Sequence, residues 1–303
     1  MIMDQASTKS RFWLDDDDAM ERIALAPVSE EIKAIARALH TDGIAVIRGA
    51  NSKEVCRSVV ADYKRYSEEN EDYVRSNLTE EGREKRLVNF HLRSDGAAKI
   101  GCNPGILSAL DFIFGRETAV YTSLTFKYGT QQCVHRDTPH FATWPSRMFV
   151  GMWTALEDVS PDAGPLFYHP GAHRMPVDPR VFMDEANSLL PGAPLNERLL
   201  MALDLYNGNI IQRTPQVAPA KLLEMEAGDT VVWHPEMPHG GSSATDPGHT
   251  RWSIVFHCAP IDVQVHQHDK FFTHQGPAAP PDRYGYFERF GRSFAVSGEV
   301  GYM

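Results

Sequence analysis

The sequence predicts a mainly β fold with flanking helices, in which the strands form a rolled barrel or a sandwich. After Gly115, short segments rich in β-branched and aromatic residues recur between Gly, Pro and Asp residues. These segments do not alternate with helices, as the strands of a parallel α/β sheet would. The chain has 303 residues and is 42% hydrophobic, so it can bury a large core.

Residues 1–117 are predicted to be mainly helical. In the stretch VSEEIKAIARALHTDGIAVIRG, Ser29 can cap a helix, apolar residues recur every three to four positions, and Gly43 ends the pattern. The IAVIRG segment then predicts a strand. A second amphipathic helix is predicted to begin near Ser52, in SKEVCRSVVADYKRYSEEN.

Residues 118–262 are predicted to form the β core. Its strands are expected in AVYTSLTFKYG, RMFVGMWTALEDV, GPLFYHPGAH, DTVVWHP and RWSIVFHCAP. An insertion around 174–227 interrupts them and contains a predicted helix at NERLLMALDLYNG, as a lid or packing element would. Residues 263–303 are predicted to be a C-terminal tail, with an irregular GPAAPPD segment at 276–282. We expect one domain over residues 1–303.

Composition favours a small-molecule partner over nucleic acid or membrane. The formal net charge of -10 lacks the basic surface that nucleic-acid binding requires. No apolar run approaches the roughly 18 residues of a membrane span, and the N-terminal stretch lacks the order of a secretory signal. We therefore expect a cytoplasmic protein. Its cysteines form no Cys-x-x-Cys pair and are expected to be reduced. The acidic run 15–18 is expected to be solvated.

Three residues suggest a metal site. His135 and Asp137 lie two apart in QQCVHRDTPHF, and i and i+2 side chains of a strand share a face. His239 follows about a hundred residues later, in GDTVVWHPEMPHGGS. Two histidines and one carboxylate match the facial triad of non-haem Fe(II) oxygenases, which leaves metal positions open. A structural zinc site would instead use four protein ligands. His-x-Asp also occurs by chance, in surface loops or core hydrogen-bonded pairs.

A basic residue in the last predicted core strand suggests an anionic co-substrate. Arg251 and Ser253 alternate with Trp252 and Ile254, so they are expected to share one face of the strand. An arginine inside a β core is costly unless it meets an anion, and its planar fork suits a carboxylate. The distal carboxylate of 2-oxoglutarate would fit. The alternative is a pair with a core Asp or Glu.

The motif order HRDTPHF, MWTALEDVSPDAGPLFYHPGAHR, GDTVVWHPEMPHGGS and RWSIVF resembles the phytanoyl-CoA dioxygenase family of Fe(II)/2-oxoglutarate oxygenases. The resemblance covers roughly Tyr121 to Pro260. It implies a double-stranded β-helix, a jelly-roll barrel like that of the cupins. It also implies Fe(II) bound by His135, Asp137 and His239, with O2 and 2-oxoglutarate as the other reactants.

The same resemblance implies residues for the co-substrate. Arg251 would bind 2-oxoglutarate. Because Ser253 is expected on the same face of the strand as Arg251, it would donate a hydrogen bond to the same carboxylate. Trp153 falls where the family has a tryptophan beside the co-substrate, and Tyr121 falls where some members use a polar residue for it.

Six further residues are candidates for substrate contact, either as partners of an anionic group or as walls of the pocket. They are Asn89, His91, Arg136, His140, Phe141 and Trp144. Each of them is also compatible with a solvent-facing or core position.

We therefore expect a non-haem Fe(II)/2-oxoglutarate-dependent dioxygenase that hydroxylates an unactivated C–H bond of a small metabolite, with formation of succinate and CO2. The alternative is a cupin-like metal-dependent hydrolase or isomerase, which would use the same three ligands without 2-oxoglutarate. A catalytically silent binding barrel is a third interpretation, and it would be expected to lack a ligand. The metal motif names neither the substrate nor the oligomeric state.

Overall fold

The computed structural model describes residues 12–246, 248–274 and 285–303. The α-helices, in chain order, are α1 (Ala19–Leu25), α2 (Glu30–Thr41), α3 (Lys53–Glu69), α4 (Glu71–Arg75), α5 (Asp95–Gly101), α6 (Pro104–Phe114), α7 (Pro179–Leu189), α8 (Leu195–Val217) and α9 (His268–Thr273). The strands are β1 (Ile44–Ile47), β2 (Leu87–Val88), β3 (Thr118–Phe126), β4 (Ala142–Thr143), β5 (Val150–Ala155), β6 (Leu166–Tyr168), β7 (Lys221–Leu222), β8 (Thr230–Trp233), β9 (His239–Gly241), β10 (Ser253–Pro260), β11 (Val265–His266), β12 (Tyr286–Arg289), β13 (Arg292–Ala295) and β14 (Gly301–Tyr302).

A nine-stranded mixed sheet forms the centre of the molecule. Its main path is β1-β8-β5-β10-β3-β13-β12, while β2 pairs with β3 and β14 pairs with β2. Strand β13 runs parallel to β3, and the other pairs in this sheet are antiparallel. A three-stranded sheet, β7-β6-β9, and a two-stranded sheet, β11-β4, complete the β structure.

One face of the main sheet packs against the N-terminal helices. In β10 the side chains of Ile254, Phe256 and Cys258 belong to the same buried apolar cluster as residues of α2, α3 and α6. The alternate residues of the strand, including Val255 and His257, face a cavity on the other side. The two-residue period of the strand therefore separates an apolar face from a face that can carry chemistry.

The predicted N-terminal helices and the five predicted core strands are present at the expected positions. Ser29 caps α2 and Ser52 caps α3, each by accepting a hydrogen bond from a backbone N–H of the first turn. Gly43 follows α2 with a φ of 76°, a conformation that favours glycine. Each of the five segments predicted as core strands contains a strand, from β3 to β10.

The balance of helix and strand differs from the prediction, because helices occupy more of the described chain than strands do. The insertion around 174–227 folds largely into α7 and α8, which share a separate apolar cluster that includes Phe182 and Tyr206. The C-terminal segment is more than a tail, since β12, β13 and β14 extend the main sheet. The GPAAPPD stretch lies outside the described residues. Within the described part of the chain, no helix has the length and apolar character needed to cross a membrane.

Asp15 corrects the expectation of a solvated acidic run. Its carboxylate lies 3.0 Å from Nε2 of buried His234 and accepts a hydrogen bond of 2.6 Å from Arg147. Burial raises the pKa of Asp15, but the hydrogen bonds and charges of His234 and Arg147 outweigh burial, so the pKa lies well below its usual value. These contacts tie the N-terminal segment to the loop that precedes His239.

We expect Asp15→Asn to reduce the free energy of unfolding at pH 7 by about 1–3 kcal/mol, because it breaks a partly buried charged network. A carboxyl whose pKa is lower in the folded state contributes stability above its unfolded pKa of about 4 and loses it as the pH falls below that value. The difference between wild type and variant should therefore shrink below about pH 4. Urea unfolding at pH 7 and below about pH 4 measures this difference in the free energy of unfolding, with exposed Asp17→Asn as the control. A difference that is independent of pH would contradict this prediction.

Candidate metal centre

His135, Asp137 and His239 lie together at one end of the cavity. One ligand atom from each residue lies within 4.8 Å of the other two. Nε2 of His135 is 3.6 Å from Oδ1 of Asp137, and Nε2 of His239 is 3.8 Å from Oδ2. Two imidazole nitrogens and one carboxylate oxygen converge on one point, which is a donor set for a divalent transition metal with open positions for other ligands.

The expected strand at 131–141 is wrong, and a different local structure brings the ligands together. The segment forms only an isolated bridge, in which His135 N–H donates to His239 O at 2.9 Å and His239 N–H donates to His135 O at 3.0 Å. A turn follows, closed by a 2.8 Å bond from His140 N–H to Asp137 O. The long-range bridge pairs the histidines, and the turn places the carboxylate beside them.

Backbone carbonyls orient both metal-facing imidazoles. Nδ1 of His135 lies 2.9 Å from Cys133 O, and Nδ1 of His239 lies 2.9 Å from Met237 O. A carbonyl oxygen only accepts, so each Nδ1 carries the proton and each Nε2 keeps its lone pair for a metal. Burial lowers the pKa of His239 to about 4, which keeps this imidazole neutral near pH 7.

Asp137 is held from behind by two side chains. Trp233 Nε1 donates to its Oδ2 at 2.9 Å, and His257 Nε2 lies 3.2 Å from the same oxygen. Burial raises the pKa of Asp137, but His239, His135 and His257 outweigh burial and hold the pKa well below its usual value. The carboxylate is thus ionised and fixed in orientation.

The role of these two supporting residues could not be predicted from the sequence. Both fall within segments predicted only as strands, Trp233 in DTVVWHP and His257 in RWSIVFHCAP. The signal for His257 is its position in RWSIVFH, six residues after Arg251 and therefore on the same side of an extended chain.

We expect His257→Phe to weaken binding of a divalent metal by about tenfold to a hundredfold, which is the usual effect of losing a residue that orients a ligand. Phenylalanine can keep the stacking on Phe141, whose ring centroid lies 3.6 Å away, but it has no N–H for Asp137. Titration of the metal-free protein against a chelator measures the affinity, with exposed His249→Gln as the control. An unchanged affinity, in a variant with unchanged thermal stability, would refute the role.

Arg251 is a buried cation that has no carboxylate partner in the part of the chain that the structure describes. It is 2% exposed, and its Cζ lies 5.9 Å from the ring centroid of Trp153. Nη1 donates to Gly164 O at 2.6 Å, while Nε is buried without a hydrogen-bond partner in the structure. Burial lowers the pKa to about 10, and among the described residues no charged neighbour contributes to that shift. The alternative of a core ion pair therefore has no support, and the guanidinium remains available to an anion.

The metal-facing residues and Arg251 line one cavity of about 550 Å³. Five of the other residues expected to contact co-substrate or substrate also line it: Trp153, Tyr121, Asn89, His140 and Phe141. Ser253 does not. It is fully buried on β10, and its hydroxyl donates to the carbonyl oxygen of Arg251 at 3.3 Å.

Three of the substrate candidates lie outside the cavity lining. His91 is buried in the core with Nδ1 2.7 Å from Ser123 Oγ, and burial lowers its pKa to about 3, so it does not offer a positive charge. The guanidinium of Arg136 donates hydrogen bonds to Glu236 and to two backbone carbonyls, so it is already engaged within the protein. Trp144 packs against two histidine rings of the C-terminal segment.

Comparison with curated proteins identifies distant relatives. The chain is 32% identical over 131 residues to the peroxisomal phytanoyl-CoA dioxygenase of Rattus norvegicus, covering 43% of this chain and 34% of the relative. It is 28% identical over 130 residues to the human protein, covering 43% and 33%. The match thus spans about a third of the length of these relatives.

Solved structures share the fold at low sequence identity. The epimerase SnoN, in complex with Fe3+, alpha ketoglutarate and nogalamycin RO, has a TM-score of 0.60 at 17% identity, covering 88% of this chain and 98% of that one. EctD from S. alaskensis with bound Fe has a TM-score of 0.59 at 15% identity, covering 84% and 86%. The chain thus has the mixed sheet and flanking helices of the cupin-like jelly-roll enzymes. The sequence profile of the Phytanoyl-CoA dioxygenase (PhyH) family matches residues 39–251, and the chain therefore belongs to that family.

Proposed function

We propose that this protein is a non-haem Fe(II)/2-oxoglutarate-dependent dioxygenase that hydroxylates a C–H bond of a small metabolite. The observation that carries the proposal is the shared cavity, in which a His-Asp-His cluster and an unpaired buried arginine face the same space. A hydrolase or isomerase with the same three ligands would have no use for that arginine. We further propose that residues 1–303 form one oxygenase domain around a double-stranded β-helix barrel.

The donor set fits Fe(II). Two neutral imidazoles and one ionised carboxylate are the ligands of the facial triad, and they leave positions for the co-substrate and O2. With O2 and 2-oxoglutarate, bound Fe(II) supplies the oxidising power that breaks an unactivated C–H bond, as the co-substrate becomes succinate and CO2.

The residues of the chain position the reactants. Arg251 binds the distal carboxylate of 2-oxoglutarate, and the neighbouring Trp153 ring forms an apolar wall beside it. Trp233 and His257 keep the Asp137 carboxylate oriented. Phe141, which also lines the cavity and stacks on His257, presents an aromatic surface that holds the substrate and excludes water.

A substrate-panel screen tests the proposal. Small metabolites are incubated with the protein, Fe(II), O2 and 2-oxoglutarate, and succinate release is measured together with the mass of each product. Gain of one oxygen atom supports hydroxylation, and loss of two hydrogens indicates desaturation or ring closure instead. An unchanged mass with altered stereochemistry indicates epimerisation. Turnover of a metabolite without consumption of O2 and 2-oxoglutarate supports the hydrolase or isomerase alternative.

A further inference from the structure

We propose that the substrate of this site carries an anionic group, such as a carboxylate, and that Arg86 binds that group. The inference rests on the proposed function and specifies its substrate class. Arg86 was not among the residues that the sequence suggested for substrate contact. It lines the cavity together with Asn89, Phe141 and the metal-facing residues.

The backbone around Arg86 directs its side chain into the cavity. Arg86 directly precedes β2, whose residues pair with Thr125 and Leu124 of β3. Leu87 is fully buried in the apolar cluster on the helical side, whereas Val88 lines the cavity. Because side chains alternate along an extended chain, Arg86 shares the cavity side with Val88.

Among the described residues, the guanidinium of Arg86 has no partner of its own. Its backbone carbonyl accepts a bond from Met303 N–H, but in the described part of the chain its side chain makes no hydrogen bond or ion pair. Burial lowers the pKa of Arg86, and the one charge that opposes this shift is that of Asp137. Asp137 is also the one residue with a carboxylate side chain among those that line the cavity.

The charges of the loaded site leave Arg86 unbalanced. A divalent metal is neutralised by Asp137 and by the carboxylate with which 2-oxoglutarate chelates it, and Arg251 is neutralised by the distal carboxylate. A partly buried cation that lines a pocket is costly without an anion. An anionic group on the substrate supplies that charge.

The other residues that line the cavity indicate the chemical character of the rest of the ligand. Tyr121, Phe141 and Met303 give the cavity apolar surfaces, while Asn89 and His268 add polar groups. This combination fits a small acid with an apolar or aromatic body.

Binding of paired probes tests the inference without turnover. The zinc-loaded protein with saturating 2-oxoglutarate is titrated with phenylacetate and phenylacetamide, and with hexanoate and hexanamide, by ligand-observed NMR. The variants are Arg86→Gln and Arg86→Lys, with exposed Arg57→Gln on α3 as the matched control. The affinity of each protein for 2-oxoglutarate is measured in parallel.

We expect wild type and Arg57→Gln to bind each acid at least about tenfold more tightly than its amide, a difference of about 1.4 kcal/mol. Arg86→Gln should bind acid and amide equally, Arg86→Lys should keep part of the preference, and 2-oxoglutarate affinity should not change. Equal binding of acid and amide by wild type, or no binding of either acid, overturns the inference. An Arg86→Gln variant that loses 2-oxoglutarate affinity but keeps the acid preference also overturns it. A wild-type protein that does not bind 2-oxoglutarate contradicts the proposed function as well.

Discussion

Replacing Asp137 with asparagine is expected to lower iron-dependent 2-oxoglutarate turnover by at least about a hundredfold. The amide keeps the size of the carboxylate and an oxygen that can accept from Trp233, so the fold is retained. It loses the negative charge that a divalent metal requires. Iron content after reconstitution and succinate release are the two measurements.

The Asp137→Ala variant should be as inactive as Asp137→Asn but less stable than it. It leaves Trp233 Nε1 and His257 Nε2 buried without their acceptor, at a cost of about 1–3 kcal/mol. Exposed Asp184→Asn on α7 is the control and should behave as wild type. Turnover retained by Asp137→Asn, with iron still bound in equal amount, would remove Asp137 from the metal centre.

The β core could be predicted from sequence because its signals are local. Strands such as β3 and β10 contain clusters of β-branched and aromatic residues in segments bounded by turn residues, and the serine caps precede their helices directly. The convergence of His135, Asp137 and His239 could be predicted from motif order. The structural cause of this convergence could not be predicted, since the bridge between the two histidines joins residues about a hundred positions apart.

Features that depend on tertiary packing could not be predicted from the sequence. His257 reaches Asp137 across 120 positions of sequence, and no local pattern contains that contact. His91 and Arg136 are polar residues that the sequence suggests for substrate contact, yet packing turns both away from the cavity. Arg86 lies inside because β2 is held between β3 and β14, which is again a long-range arrangement.

Replacing Arg251 with glutamine is expected to weaken 2-oxoglutarate binding by about tenfold to a hundredfold, which corresponds to the loss of a charge-assisted carboxylate pair. The metal-free variant should be as stable as wild type or more stable, because a buried cation without a carboxylate partner disfavours the folded state. Arg251→Lys should recover only part of the affinity, since lysine lacks the planar fork. Calorimetric titration of the zinc-loaded protein measures the binding.

A ligand that lacks the distal carboxylate separates the loss of this pair from general damage to the binding site. 2-Oxopentanoate has the keto acid and chain length of 2-oxoglutarate but lacks the distal carboxylate. Wild type and Arg251→Gln should therefore bind it with equal affinity, while only wild type should prefer 2-oxoglutarate. Equal loss of both ligands would mean that Arg251 supports the metal end of the cavity through its bond to Gly164 O. A variant that still prefers 2-oxoglutarate would place the distal carboxylate on another residue.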